Sequence, residues 1–221
     1  MLLKACNKYL AVLAHDQTNA YACIGLANVL AIFNKTEDAV EIFKLLTQIG
    51  AGNYVPLMNQ AHLNIGQNKF EVAINLYKIV LEKYKVGDLK TGMYLAKAYF
   101  RKQEFHNCKT LLFGLITRFP QHIPLKFDLA LCLYEQAEKI FQAENRRAFQ
   151  TREAILFIKH SLKLFSWVQK QFKNQFKFSR TLDLNQKNKN SEVMLAQYKD
   201  LQSICDIKIG IIMDMLQYSE A

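Results

Sequence analysis

Histidine and cysteine are the residues of this chain with the widest chemical range, and their spacing assembles none of the sites they could serve. His106 and Cys108 form one His-x-Cys pair, while His15, His62, His122 and His160 stand apart from it and from one another. A structural metal site needs further ligands at short intervals, and none follow this pair. No glycine-rich phosphate loop and no nucleophile elbow occurs. The sequence therefore offers no catalytic residue, no metal ligand and no cofactor site. The cysteines Cys6, Cys23, Cys108, Cys132 and Cys205 are odd in number and scattered through apolar helical patterns, which argues against a disulfide framework.

Positive charge, by contrast, is organised. Residues 1–138, 139–190 and 191–221 carry +4, +9 and −3 of the net +10. At 100° per residue of a helix, Arg152, Lys159, Lys163, Lys170 and Lys177 fall within about 20° of one line. Opposite them lie Ala154, Phe157, Leu164, Phe165, Val168 and Phe172, and the one acid nearby is Glu153. A solvated helix face usually mixes signs, because acid–base pairs one turn apart attract and like charges repel. The chemistry open to such a stripe is recognition of an acidic protein or of nucleic acid. Trp167 and Phe176 add nothing to a base-stacking reading, since their phase on the helix is that of core and flank packing.

The elements that must hold this stripe follow from the rest of the chain. With 221 residues, 51% of them hydrophobic, the chain can bury a continuous core. Gly and Pro number only 8 and 3, too few for an all-β fold with its many turns. The small residues Ala27, Ala61, Ala96 and Ala130 recur at intervals of 34, 35 and 34. A second small series, Ala5, Ala39, Ala73 and Cys108, recurs at 34, 34 and 35. Four residues after each member of the second series stands a large side chain, Tyr9, Phe43, Tyr77 or Leu112, and three further on Val12, Leu46, Val80 or Leu115. This is the pattern of two helices per repeat, in which a small residue lets the backbones approach and large ones fill the gap.

Period and grammar resemble the tetratricopeptide repeat, with Leu26-Ala27 and Leu95-Ala96 at its leucine-glycine site and Pro120 after the third full repeat. Its tryptophan is replaced by Cys23, Leu57 and Gly92. The implied fold is all-α, a right-handed superhelical solenoid of antiparallel helix pairs. Expected pairs are 20–33 with 36–49, 53–66 with 70–84, and 89–102 with 105–118, with Thr36, Asn53 and Asp88 as capping residues. The repeats would span 1–17 (partial), 19–51, 53–86 and 88–120, followed by an enlarged fourth over 122–178. There the small residue matching Ala130 is Ala154, about twelve residues late, with the connection over 141–151. A polar loop over 179–190 and a capping helix over 191–221 complete the plan. Because the chain opens inside a second helix of a pair, it is expected to be a piece of a longer stack, or to have that exposed end covered by a partner. It carries no apolar signal segment and no membrane-length apolar run, so a soluble intracellular protein is expected.

Within that class, Asn19 to Ala22, Gly25, Val29 to Ala31, Asn59 to His62, Phe70, Ala73, Tyr77, Leu81, Tyr94 to Ala96 and Cys108-Lys109 resemble the C-terminal repeats of one scaffold family. That family is the large tetratricopeptide subunit of the RNA polymerase II-associated Paf complex. The resemblance implies a nuclear, non-enzymatic platform for other Paf subunits, supporting transcription elongation and histone modification. Candidate groove residues are Asn28, Asn59, His62, Lys90 and Tyr94. A rival is a co-chaperone module that clamps a C-terminal carboxylate. Asn28, Asn59 and Lys90 fit its clamp, but Ile24 and Tyr94 stand where cations are required. A third reading is an RNA-binding adaptor using the basic stripe. No membrane partner is expected.

Overall fold

The structure, a computed structural model, describes residues 1–50, 52–144, 147–182, 203 and 206–212, with side chains to residue 171 in the last long helix. Nine helices occur among these residues: α1 Leu2–His15, α2 Ala20–Ile32, α3 Thr36–Ile49, α4 Val55–Gly66, α5 Phe70–Ile79, α6 Leu89–Arg101, α7 Phe105–Arg118, α8 Ile123–Gln142 and α9 Ala148–Leu182. Residues 206–212 are also helical. No described helix is long and apolar enough to cross a membrane. Two compact units divide the chain, Met1–Glu104 and Phe105–Ala221.

In the first unit, α2 packs on α3 and α4 on α5, and each pair packs on the next helix along the chain. Ala27, Ala39, Ala61 and Ala73 are fully buried where these helices meet. Phe43 and Tyr77, four residues beyond Ala39 and Ala73, fill the space that the alanines leave. Ala96, on α6, is buried likewise. The stop at the C-terminal end of α2, α4 and α6 is built the same way three times. Asn34, Asn68 and Gln103 take φ of 64°, 59° and 64°, and the following residue closes the helix end through Lys35 N–H to Leu30 O, Lys69 N–H to Asn64 O and Glu104 N–H to Tyr99 O at 2.8 to 2.9 Å. This is the six-to-one bond of a left-handed helix stop, and asparagine tolerates that backbone better than most residues.

Capping follows the expected residues in part. Asp88 Oδ2 accepts from Thr91 N at 2.8 Å, and Asn19, which is not among the expected caps, accepts from Ala22 N through Oδ1 at 3.0 Å. Asn53 Oδ1 accepts from Val55 N at 3.0 Å as α4 begins. Thr36 does not cap. It is the first residue of α3, and its hydroxyl accepts from Gln67 Nε2 at 2.7 Å, so it ties one repeat to the next.

After α5 the helix continues through a π turn, Val80–Tyr84, closed by Lys85 N–H to Val80 O at 2.8 Å. The second helices of the neighbouring repeats have 14 residues each, whereas 70–84 holds one more. A π turn is a helical turn with one residue inserted. It therefore holds the extra residue of the 35-residue intervals Ala61 to Ala96 and Ala73 to Cys108.

In the second unit α7 packs on α8, and α8 on α9. Cys108 is buried, and its hydrogen bond to Cys132 followed by its burial raises the thiol's pKa. Cys132 Sγ in turn donates to Phe105 O at 3.6 Å. The α8–α9 hairpin departs from the sequence-based plan. Its connection is short, between Gln142 and Ala148, because α8 runs to 20 residues and α9 to 35. The small residue that meets Ala130 is Ser161, whose Oγ donates to Ala130 O at 2.8 Å. Ala154 is buried as well, in the same cluster as Ala137, one heptad further up the hairpin on each strand of it. The insertion is therefore larger than twelve residues and is absorbed by lengthening both helices. Helix α9 continues to Leu182, past the expected loop start at residue 179, and residues 183–190 lie outside the described set. Of the final segment, Ile209 and Ile212 pack into the α8–α9 core and Lys208 lies 3.6 Å from Glu135.

Candidate functional site

Two surfaces follow from this framework, one on each unit. On the first, the leading helices of successive pairs, α2, α4 and α6, bring the groove candidates together in one line. Asn59 Nδ2 donates to Asn28 Oδ1 at 3.1 Å, joining α4 to α2. His62, one turn along α4, lies 2.7 Å by Nδ1 from the Tyr77 hydroxyl, and its ring meets the Tyr94 edge at 4.5 Å between centroids. Tyr77 stacks on Tyr94 at 6.1 Å with an 18° interplanar angle. The three rings therefore brace α4, α5 and α6 while His62 as a residue stays exposed.

Electrostatics at this point follow from the surroundings. Burial lowers the His62 pKa, and Lys90 and Lys97 push it the same way, so the imidazole is held neutral and the hydroxyl of Tyr77 can donate to Nδ1. Burial, reinforced by Tyr94, raises the Tyr77 pKa and keeps the phenol protonated.

Beside the three rings is a cavity of about 190 Å³, whose lining includes Tyr54, Met58, His62, Lys85, Asp88, Lys90, Thr91 and Tyr94. Lys85 Nζ lies 4.5 Å above the Tyr54 ring. Tyr54, Met58 and Lys85 are absent from the sequence-based candidates. They come from the entry to α4 and from the loop behind the π turn, where no periodic position marks them. Lys85 and Tyr54 are 31 residues apart, a spacing with no helical meaning.

The co-chaperone register is weakened by the same geometry. Ile24, which stands at a clamp cation position, is buried with Ala27, Ala39 and Phe43. Tyr94, at the other, is engaged with His62 and Tyr77. Asn28 and Asn59 bond to each other.

On the second unit, Ala154, Ile158, Ser161, Phe165 and Val168 face the core from α9. Arg152, Lys159, Lys163 and Lys170 are exposed on the opposite side. Lys177 continues their line in sequence, and its side chain lies outside the described residues. Phe157 and Leu164 are half-buried at the margin of the core. Trp167 packs against that core too, with Lys126 Nζ 3.5 Å above its ring, so the indole is covered rather than offered to a base. Among the described residues no three histidine, cysteine or acidic side chains gather as a metal site.

No family model matches the chain. It is 26% identical over 202 residues to the RNA polymerase-associated protein CTR9 of Caenorhabditis elegans, covering 89% of this chain and 18% of that protein. It is 25% identical over 171 residues to the CTR9 homolog of Arabidopsis thaliana, covering 75% of this chain and 16% of that one. The chain thus spans less than a fifth of the length of the curated relatives it matches. Among solved structures it is similar to YrrB, a tetratricopeptide protein with an unusual peptide-binding site, at a TM-score of 0.54 and 13% identity over 74% of this chain and 77% of that one. Buried small residues at 34- and 35-residue intervals, paired helices and these likenesses agree: the chain is an all-α tetratricopeptide-repeat protein whose sequence is similar to that of the CTR9 proteins.

Proposed function

We propose that this chain is a non-catalytic protein-interaction scaffold, acting in the nucleus as a subunit of the Paf transcription elongation complex bound to RNA polymerase II. The observation that carries the reading is the similarity to CTR9 proteins over 75% to 89% of the chain. The surface chemistry supports it. Side chains at the groove are spent on one another, as in Asn28 with Asn59 and His62 with Tyr77 and Tyr94, and they leave a lysine-rimmed cavity suited to a peptide segment. Two exposed faces on separate units suit a platform that holds more than one partner. Burial of Ile24 counts against a carboxylate clamp of the co-chaperone kind, which depends on charge-assisted hydrogen bonds. The test is native-salt affinity purification of the tagged chain with identification of what co-purifies. Recovery of Paf subunits supports the assignment, and recovery of chaperones alone refutes it.

A further inference from the structure

Helix α9 carries two seams. The inner one, Ala154, Ile158, Ser161, Phe165 and Val168, has intervals of 4, 3, 4 and 3 residues and is packed. The outer one, Phe149, Arg152, Leu156, Lys159, Lys163 and Lys170, has intervals of 3, 4, 3, 4 and 7, and every member is exposed. Alternating threes and fours mark the face one helix presents to another. A face that meets only water has no need of apolar residues in that register, yet Phe149 is 59% and Leu156 56% exposed.

The charges in the outer seam define the occupant. Arg152, Lys159, Lys163 and Lys170 are 7, 4 and 7 residues apart. At a rise of about 1.5 Å per residue they form a straight row roughly 27 Å long. The one acid of α9, Glu153, sits about 100° around the helix from Arg152 and outside the row. A straight rod with carboxylates at the same intervals matches this row. A nucleic acid backbone supplies charge at much closer spacing and nothing apolar to cover Phe149 and Leu156.

We propose that the outer seam of α9 docks one acidic amphipathic helix of a partner protein. Its carboxylates stand opposite Arg152, Lys159, Lys163 and Lys170, and its apolar side chains cover Phe149 and Leu156. Exposed ion pairs contribute little singly. The cation row therefore sets register and rate of encounter, and the apolar contacts hold the complex. This deepens the scaffold reading by naming the chemistry of one partner. The two are tested separately, since a failure to recover transcription subunits would sink the assembly assignment and leave the following titration as it stands.

The experiment is fluorescence anisotropy with the full chain and labelled probes. One probe is a synthetic helix-forming peptide of about 24 residues with glutamates at intervals of 7, 4 and 7 and leucines in register with Phe149 and Leu156. The others are a permuted peptide of the same composition, a duplex DNA and a single-stranded RNA. The glutamate intervals read the same in both directions but the leucine positions do not, so a second peptide with the sequence reversed serves antiparallel docking. The registered peptide should bind about tenfold tighter than the permuted one and weaken steeply with added salt. Lys159→Gln with Lys163→Gln should abolish that preference, and Leu156→Ala should weaken the registered peptide about threefold. Unchanged far-UV circular dichroism confirms that these surface variants fold. Equal binding of both peptides overturns the proposal. So does tighter binding of DNA or RNA that Leu156→Ala leaves untouched.

Discussion

Replacing Tyr77 by phenylalanine removes one oxygen from the junction of α4, α5 and α6 and leaves every ring contact in place. The ring is 1% exposed, and it stacks on Tyr94 at 6.1 Å through atoms that phenylalanine retains. What is lost is the 2.7 Å bond to His62 Nδ1. His62 as a residue is exposed, so its ring can turn toward water once the bond is gone and no full desolvation penalty is left behind. The expected cost is therefore that of one ordinary hydrogen bond, about 1 kcal/mol. Tyr77→Ala removes the ring itself from a site with no solvent access and leaves a cavity, for which about 3–5 kcal/mol is expected. Urea unfolding at pH 8, where His62 is neutral, measures both, with the slope checked for constancy. A repeat stack can unfold in parts, so amide exchange in α4 and α6 should be followed alongside. If Tyr77→Phe costs as much as Tyr77→Ala, the hydroxyl holds more than a single bond and the argument fails. If it costs nothing, the 2.7 Å contact contributes no net bond, and the role given to His62 falls with it.

The His62 pKa lies below its unfolded value, so the stability it confers is complete above about pH 6.5 and is lost as pH falls, because the unfolded chain then binds the extra proton. His122, which burial also lowers, acts with the same sign, so His62→Gln should flatten part of the acid-side slope in unfolding measured from pH 8 to pH 5. Asn34 sits at φ 64°, so Asn34→Ala should cost about 1 kcal/mol in thermal or urea unfolding while Asn34→Gly costs much less. Ser161 is buried against the backbone of Ala130. Ser161→Ala should therefore cost about 1 kcal/mol, whereas Ser161→Leu should cost more by overpacking the α8–α9 contact.

The pairing of helices was legible because burial is periodic. Ala27, Ala39, Ala61, Ala73, Ala96, Cys108 and Ala130 recur at the repeat length, and all are buried in the fold. The inner face of α9 was legible for the same reason, through the phase of Phe165 and Val168. What escaped depends on events that period does not record. Thr36 carries a capping residue's chemistry, yet its hydroxyl is taken by Gln67 from the next pair. Ala154 is small and correctly phased, but so is Ser161 one heptad on, and only the hairpin's length decides which meets Ala130. The cavity wall escaped because Tyr54 and Lys85 come from loop and helix entry, where composition is free. The left-handed turns are a signal that was present, in Asn34 and Asn68 one repeat apart, and they become visible only once the turn geometry is known.

The π turn after α5 has a consequence for how such a stack can change over time. A residue added inside a regular helix rotates everything beyond it by about 100° and would swing the packing side chains away from their partners. Here the wide turn begins at Val80, the last fully buried side chain of that helix, so Ala73, Tyr77 and Val80 keep their places. The surplus emerges at the rim, where it delivers Lys85 to the mouth of the cavity, above Tyr54. Copies of the motif are thus free to drift in length at their outer ends, and each slip redraws the opening a ligand meets while the buried lattice stays in step.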